Sequence, residues 1–252
     1  MRQEAYFCTV KELDELGKNN IPRQLISHTH LIYSSPATLA FNSPGAEGFG
    51  VKRAGLAVPD SVMLIVSPGC CGRNTSVLSS MRAYQDRFYY LLMDETDIVT
   101  GRHLKKIPKA VAEICEGLKK KPSVVMICIT CVDALLGTDM ERVCHKAEEY
   151  AGVPVRPCYM YALTREGRKP PMVHVRQSVY SLLEPKKKKG NVVNLLGYFS
   201  PLTDDCELYD LLHGAGVKTI HEISRCKDYA QYQTMSEANF NLVLHPEARF
   251  AA

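Results

Sequence analysis

The sequence predicts an α/β protein made of two Rossmann-like modules with parallel sheets and flanking helices. From residue 61 onward, short β-branched runs alternate with segments of helical periodicity, and Gly or Pro stands at many of the junctions. The first two of these runs are apolar throughout, which is typical of strands covered by helices on both faces. The 252 residues, 46% hydrophobic and 23% charged, are enough for a sizeable core.

The first module is expected to span residues 61–184. Three runs in it predict strands, and the last is less regular because Pro154 and Pro157 interrupt it. The predicted strands are residues 61–67, 123–130 and 153–159.

Helices are predicted between these strands. Apolar residues recur at helical spacing from Ile107 onward, and Pro108 marks the predicted start of that helix. Thr138 and Glu141 form a predicted capping box for the next helix, which Gly152 ends.

The remaining segments complete the predicted organisation. A lysine-rich linker, 185–190, precedes a second β-α-β-α-β module over residues 191–252. That module stops where another helix is expected, so the molecule is either cut or a naturally short version. Prolines break residues 1–60 into pieces, which we expect to be helices and loops packed on the first module.

Charge and hydropathy exclude several classes of protein. The net charge is +4, which the four consecutive lysines at 186–189 account for, and Trp is absent. A nucleic-acid binder normally carries a broader basic surface interleaved with aromatic residues. No run approaches the roughly 18 apolar residues of a membrane span, and the N-terminus lacks the apolar segment of a signal peptide. We therefore expect a cytoplasmic protein with neither nucleic acid nor membrane as a partner.

The ten cysteines are the most informative feature of the composition. In a reducing compartment they indicate buried thiols or metal ligands rather than disulfides. Cys70 follows the first predicted strand and Cys131 follows the second, so both face one crevice if these strands are neighbours. Thiolates are the usual ligands of iron–sulfur clusters, which commonly need four. Two such cysteines from each of two subunits predict a cluster at a dimer interface, with Cys71 as a substitute or supplement.

Other interpretations of the cysteines are weaker. Cys128 and Cys131 form a CxxC pair, but Cys128 lies inside an apolar strand and no second CxxC completes a zinc site. Cys115 and Cys144 fall near the apolar faces of helices, where a free thiol behaves as a small hydrophobic side chain. For Cys70 and Cys131 themselves, inert thiols in a crevice are the alternative.

Five segments together resemble the component 1 family of nitrogenase and nitrogenase-like oxidoreductases. This family includes dark-operative protochlorophyllide reductase and the nickel-tetrapyrrole reductive cyclase. The matching segments are SPATLAFNSPGA (35–46), SPGC (67–70), ETDIVTG (95–101), TCVDALLGTD (130–139) and NVVNLLGY (191–198).

The resemblance implies roles for particular residues. Cys70 and Cys131 fall on family cysteines that hold an iron–sulfur cluster between two related subunits. The family's first cluster cysteine would fall near Asn42, which favours a [4Fe-4S] cluster with two ligands per chain and leaves Asn42 as a weak oxygen-ligand candidate. His245 falls at or beside the position of a cofactor cysteine, although a surface histidine is the simpler interpretation. The family's third domain would follow Ala252 and is mostly absent or truncated here.

The function implied by this resemblance is electron relay in an oxidoreductase. A separate ATP-dependent [4Fe-4S] iron-protein reductase would pass low-potential electrons to the bridging cluster, and from there to a substrate, metallocofactor or tetrapyrrole in a cavity. The partner subunit is either a second copy or a related chain. Two alternatives remain: a non-catalytic scaffold for metallocofactor assembly, and a cluster-free α/β binding protein.

Overall fold

The computed structural model of this chain contains two compact units, residues 1–40 and 41–252. The described residues are 9–17, 19, 20, 22, 49–69, 84–160 and 169–252. Within them, no helix combines the length and the apolar character needed to cross a bilayer.

The first unit contains one described helix, α1 (Val10–Leu16). Its capping box is reciprocal, because the Thr9 side chain accepts a hydrogen bond from the Glu12 amide and Glu12 Oε2 accepts one from the Thr9 amide. Capping of this kind satisfies two of the amide donors that an α-helix leaves without partners at its start. The helix ends at Gly17, whose positive φ of 74° suits a residue without a Cβ.

The second unit contains two parallel sheets, as predicted. The first sheet comprises β1 (Val62–Ser67), β2 (Phe88–Leu92), β3 (Val125–Ile129) and β4 (Val155–Tyr159), in the order β2-β1-β3-β4. All its strand pairs are parallel. Pro157 is accommodated in β4 because β4 is an edge strand, where one backbone donor is not needed.

Helices cover both faces of the first sheet. They are α2 (Phe49–Gly55), α3 (Glu95–Thr100), α4 (His103–Gly117), α5 (Cys131–Leu136), α6 (Met140–Ala151) and α7 (Pro171–Tyr180). Met63 and Ile65 of β1 pack in the cluster formed with α2 and α7. Leu64 and Val66 alternate with them and pack in the cluster formed with α4 and α6. Burial on both faces explains why the strand is apolar throughout.

The second sheet is smaller and is also parallel. It comprises β5 (Lys189–Leu196), β6 (Thr219–His221) and β7 (Ala238–Val243), in the order β6-β5-β7. The associated helices are α8 (Glu207–Gly214) and α9 (Tyr229–Gln233), with 3-10 turns at Ile223–Arg225, Thr234–Glu237 and Pro246–Ala248. The cluster around α7 continues into this module through Leu196, Ile223 and Tyr232.

Several local predictions differ from the structure. Helix α4 begins at His103, so Pro108 lies inside it and removes one backbone hydrogen bond rather than starting the helix. The N-cap of α6 is Asp139, whose side chain accepts from the Arg142 amide, because the Thr138 hydroxyl donates to Asp133 instead. The last residues of the predicted linker, Lys189 and Gly190, belong to β5. Strand β2 was not predicted.

Candidate metal-cluster site

The site is built where two neighbouring strands end. Val62–Val66 of β1 pair in register with Val125–Ile129 of β3, and the strands are parallel, so their carboxyl ends lie side by side. Beyond β1 the chain runs through Pro68 and Gly69 toward Cys70, and beyond β3 it runs through Thr130 to Cys131. The sequence-based argument required these two strands to be neighbours, and they are. The two predicted ligand segments therefore start from one edge of the sheet.

Cys131 is the first residue of α5 and differs from the other described cysteines in its exposure. It is the one exposed thiol among the seven cysteines in the described ranges. The others are buried or half-buried: Cys115, Cys128, Cys144, Cys158, Cys206 and Cys226.

Burial keeps several of these thiols protonated. It raises the pKa of Cys128 to about 12 and holds the pKa values of Cys144 and Cys158 well above the usual range for a thiol. The pKa of Cys226 is raised to about 11, mainly by burial and to a smaller extent by the nearby Asp228 carboxylate. Because the thiolate is the metal ligand, these side chains are poor ligands at neutral pH. The position of Cys128, fully buried inside β3, also argues against a CxxC metal site.

Three predicted site residues, Cys70, Cys71 and Asn42, lie outside the described residues. Within the described ranges, no group of three or more His, Cys, Asp or Glu side chains has the arrangement of a metal site. The assignment of ligands to these three positions stays a prediction.

Buried polar atoms near this edge fit a polar group there. Ser67 is the last residue of β1, Thr130 follows β3, and Asp133 lies in the first turn of α5; all three are at most 1% exposed. Among the described residues, Ser67 Oγ, Thr130 Oγ1 and Asp133 Oδ2 have no hydrogen-bond partner. Buried polar atoms are normally paired, so the two unpartnered hydroxyls at the strand ends, those of Ser67 and Thr130, suit a bound polar or inorganic group there.

Behind Cys131 lies a buried histidine–carboxylate pair that sequence reasoning missed. His103 Nε2 is 3.0 Å from Asp133 Oδ1, and His103 Nδ1 is 3.0 Å from the backbone oxygen of Asp97. The Thr138 hydroxyl donates to the same Asp133 oxygen across 3.3 Å. The only signal in the sequence is a charged residue in the otherwise apolar segment around Asp133.

The Asp97 carboxylate anchors the other end of this network. Lys106 Nζ and Arg102 Nε each lie 2.7 Å from one of its oxygens. These donors, Lys106 first and Arg102 second, hold the pKa of Asp97 well below its usual range. Asp97 also completes a capping box with Asp94 at the start of α3. The segment that provides the carbonyl to His103 is therefore fixed by ion pairs.

His245 lies at the carboxyl edge of the second sheet, just after β7. Its Nδ1 accepts a hydrogen bond from the Glu247 amide at 3.3 Å and lies 3.5 Å from Glu247 Oε2. Its ring meets Tyr198 edge to face, and its backbone packs against Gly197. The side chain is 36% exposed. It therefore belongs to a different sheet edge from Cys131.

Two of the cavities among the described residues of the second unit are similar in volume. One, of about 590 Å³, has walls from both modules, including Arg53, Tyr84 and Arg87 on one side and Phe199 and Lys227 on the other. The second, of about 610 Å³, lies among α3, α4, α5 and α6. His245 is not among the residues that line the first cavity.

Comparison with known proteins identifies the family to which this chain belongs. Residues 47–252 match the family model of nitrogenase component 1 type oxidoreductases, and the chain belongs to this family.

Its relatives include two proteins of cofactor biosynthesis. The chain is 28% identical over 176 residues to the nitrogenase iron-molybdenum cofactor biosynthesis protein NifE of Rhizobium meliloti, covering 67% of this chain and 37% of that protein. It is 26% identical over 222 residues to the protein of the same name from Klebsiella pneumoniae, covering 80% and 48%. The chain therefore spans less than half the length of these relatives.

A solved structure shows the same fold. The structure of nitrogenase Cp1 at pH 6.5 matches with a TM-score of 0.52 and 22% identity, covering 76% of this chain and 40% of that chain. This likeness supports the predicted α/β architecture of parallel sheets with flanking helices.

Proposed function

We propose that this chain is a subunit that holds an iron–sulfur cluster at an interface with a second subunit, as part of a nitrogenase-like system that assembles a metallocofactor. The observation that carries the proposal is the position of Cys131. Its thiol is exposed at the carboxyl end of β3, next to the strand that leads to Cys70. The relatives' role in cofactor biosynthesis favours assembly as the setting.

Cys131 and Cys70 are the proposed ligands. Two thiolates supply half of the four that a [4Fe-4S] cluster needs, so a second subunit, either another copy or a related chain, provides the rest. Cys71 is adjacent to Cys70 and is a possible replacement for it, and Asn42 is a weak oxygen-ligand candidate. A bound cluster of this type accepts and donates single electrons. In this proposal the chain itself provides two ligands, shields one side of the cluster from water and fixes the direction of the two thiols.

The cavity with walls from both modules is the proposed place for a metallocofactor or a tetrapyrrole. Its volume of about 590 Å³ falls in the range of small-molecule sites, roughly 300–1,000 Å³. Arg53 and Lys227 are exposed cations on its walls, and Phe199 provides apolar surface. In this proposal His245 contacts such a group only if the group extends to the edge of the second sheet.

Electron relay from an ATP-dependent iron-protein reductase is the second candidate function. It is favoured by exposed apolar side chains near the proposed cluster: Val99 is 84% exposed, Leu135 67% and Leu136 48%. Val99 and Leu136 both line the cavity of about 610 Å³ among α3, α4, α5 and α6. Leu135 and Leu136 belong to the helix that begins with Cys131. Apolar side chains at such a place suit contact with another protein.

Iron and acid-labile sulfide analysis of anaerobically prepared protein tests the cluster. We expect about four irons per two chains, the content of one [4Fe-4S] cluster. Cys131→Ala and Cys70→Ala should each lose the iron, whereas Cys206→Ala, a half-buried cysteine of the second module, should keep it. Iron-free wild-type protein after reconstitution would leave the cluster-free binding protein as the remaining interpretation.

A second experiment separates assembly from relay. Loaded protein is mixed with an ATP-hydrolysing iron protein, and its visible absorption is followed with and without ATP. Bleaching that requires ATP favours relay. A scaffold instead releases metal in excess of the four bridging irons to a metal-free acceptor, without ATP-dependent turnover.

A further inference from the structure

The helix that begins with Cys131 is short and is held from behind by a buried pair of side chains. Helix α5 has six residues, and isolated helices of that length are not stable in water. Asp133 lies two residues after Cys131, and its side chain is fully buried, as is that of His103. The direction of the Cys131 thiol therefore depends on tertiary contacts.

The hydrogen bonds of His103 show how specific this contact is. Its Nδ1 faces a backbone carbonyl, that of Asp97, and its Nε2 faces a carboxylate oxygen of Asp133, each at 3.0 Å. A carbonyl can only accept, so Nδ1 donates to it. The second contact then contains a proton between Nε2 and Oδ1. The imidazole thus bridges the start of α5 to Asp97 of α3.

The far end of α5 is tied to the same carboxylate. The Thr138 hydroxyl donates to Asp133 Oδ1 at 3.3 Å, and the Thr138 amide donates to the Asp133 backbone oxygen at 3.1 Å. Asp133 is therefore held through both its side chain and its backbone oxygen, whereas Leu135 and Leu136 of the same helix are exposed.

We infer that His103 is a positioning residue for the cluster site: with Asp133 it fixes the first turn of α5 and so the direction of the Cys131 thiol. This inference rests on the proposed function, in which Cys131 is a ligand. Groups behind the ligands commonly orient them, and their loss weakens metal binding by about 10- to 100-fold. His103 does not touch the proposed cluster but acts through Asp133 and the helix backbone.

Two substitutions of His103 separate positioning from stability. The amide nitrogen of Gln reaches approximately the place of Nε2, whereas that of Asn reaches approximately the place of Nδ1. His103→Gln therefore keeps a hydrogen-bonding group opposite Asp133 Oδ1, and His103→Asn loses it while keeping the donor to the Asp97 carbonyl. Each variant loses one buried hydrogen bond, so similar losses of stability are expected. Val111→Ala, a buried position on the same helix as His103, controls for general destabilisation.

The first measurement uses cluster-free, reduced protein. Hydrogen exchange of residues 131–136 and the alkylation rate of Cys131 by N-ethylmaleimide are followed by peptide mass spectrometry. We expect His103→Asn to speed exchange in this helix at least tenfold and to change the alkylation rate severalfold. His103→Gln and Val111→Ala should leave both close to wild type. Equal effects of the Asn and Gln variants, or none in α5, would overturn the inference.

The second measurement is iron retention after anaerobic reconstitution, with the electron paramagnetic resonance spectrum of the reduced protein. We expect His103→Asn to lose iron at least tenfold faster than wild type and His103→Gln to restore retention. Should His103→Asn not fold, Asp133→Asn weakens the same contact from its other partner and serves in its place. If wild-type protein takes up no iron, the proposed function fails, while the exchange and alkylation results still decide whether His103 holds α5.

Discussion

Val66 and Ile129 lie opposite each other in neighbouring parallel strands, so β1 and β3 leave their sheet side by side. Open α/β sheets bind ligands at this edge because the loops that follow the strands converge there. The two segments with the proposed ligands both begin at this point. Cys131 is the described member of the pair, and its exposure sets it apart from the thiols in the core.

Thiol reactivity should separate Cys131 from the other described cysteines. Under brief treatment of reduced, cluster-free protein with iodoacetamide, we expect Cys131 to be labelled at least tenfold faster than Cys128 or Cys144. Burial prevents access to those two thiols and raises their pKa values, that of Cys128 to about 12. Peptide mass spectrometry measures the labelling. Comparable labelling of all three thiols would contradict the described burial.

His174 should make the protein less stable in mild acid. Burial, followed by the nearby Lys169 charge, lowers its pKa from 6.5 to about 4, so the folded state favours the neutral imidazole. The unfolded chain binds the proton more readily between these values. The free energy of unfolding is therefore unaffected by His174 above about pH 6.5. It falls by about 2–3 kcal/mol as the pH is lowered toward 4.

Urea unfolding of wild type and His174→Gln between pH 4 and 7 measures this effect. The Gln variant should have a flatter dependence of the free energy of unfolding on pH. His145→Gln is the matched control, since its side chain is 73% exposed, and it should keep the wild-type slope. Glu141, 3.8 Å from His174, is part of the same environment and has its own pKa raised by burial. Parallel curves for wild type and His174→Gln would contradict the assignment.

The sequence predicted most of the architecture because its signals are local. Apolar runs gave β1 and β3, and Gly152 correctly marked the end of α6, with its left-handed φ of 61°. Strand β2 was not predicted, although its run FYYLL consists of aromatic residues and leucines and aromatic residues favour strands. The pair His103 and Asp133 could not be predicted, since the contact joins residues 30 positions apart that meet only in the folded chain. The start of α4 was misplaced because Pro is common in the first turn of a helix. Here one helical turn, which includes Lys105 and Lys106, precedes Pro108.

Gly197 should not tolerate a side chain. Its φ is 142°, and a Cβ built there would lie 2.7 Å from the His245 backbone nitrogen and 2.8 Å from its Cβ. We expect Gly197→Ala to lower the free energy of unfolding by at least about 2 kcal/mol, since strained backbone and overpacking each cost about 1–3 kcal/mol. Gly214→Ala, which meets open space without a positive φ, should be neutral or slightly stabilising. Urea denaturation compares the two, and equal stability would contradict the close approach.

Arg176 should be important for holding the second module against α7. Its guanidinium donates twice to the Gly197 carbonyl, at 2.7 and 3.1 Å, and pairs with Glu247 at 2.7 Å. The residue is only 4% exposed. We expect Arg176→Met to cost about 2–4 kcal/mol, somewhat below the full cost of breaking a buried pair because Glu247 is partly exposed.

The loss should be visible as separate melting of the two modules. Calorimetry of Arg176→Met should give a broadened or double transition, whereas Lys218→Met at an exposed position should melt as wild type does. A single, unshifted transition in Arg176→Met would show that these contacts contribute little.

The central claim is that two subunits share one iron–sulfur cluster through Cys131 and Cys70. Native mass spectrometry of tagged chain, purified anaerobically together with whatever binds it, measures this most directly. The account predicts a species with two subunits and about four irons, and free, iron-less chains for Cys131→Ala. A wild-type protein that is iron-free, or that carries a complete cluster on a single chain, would contradict it.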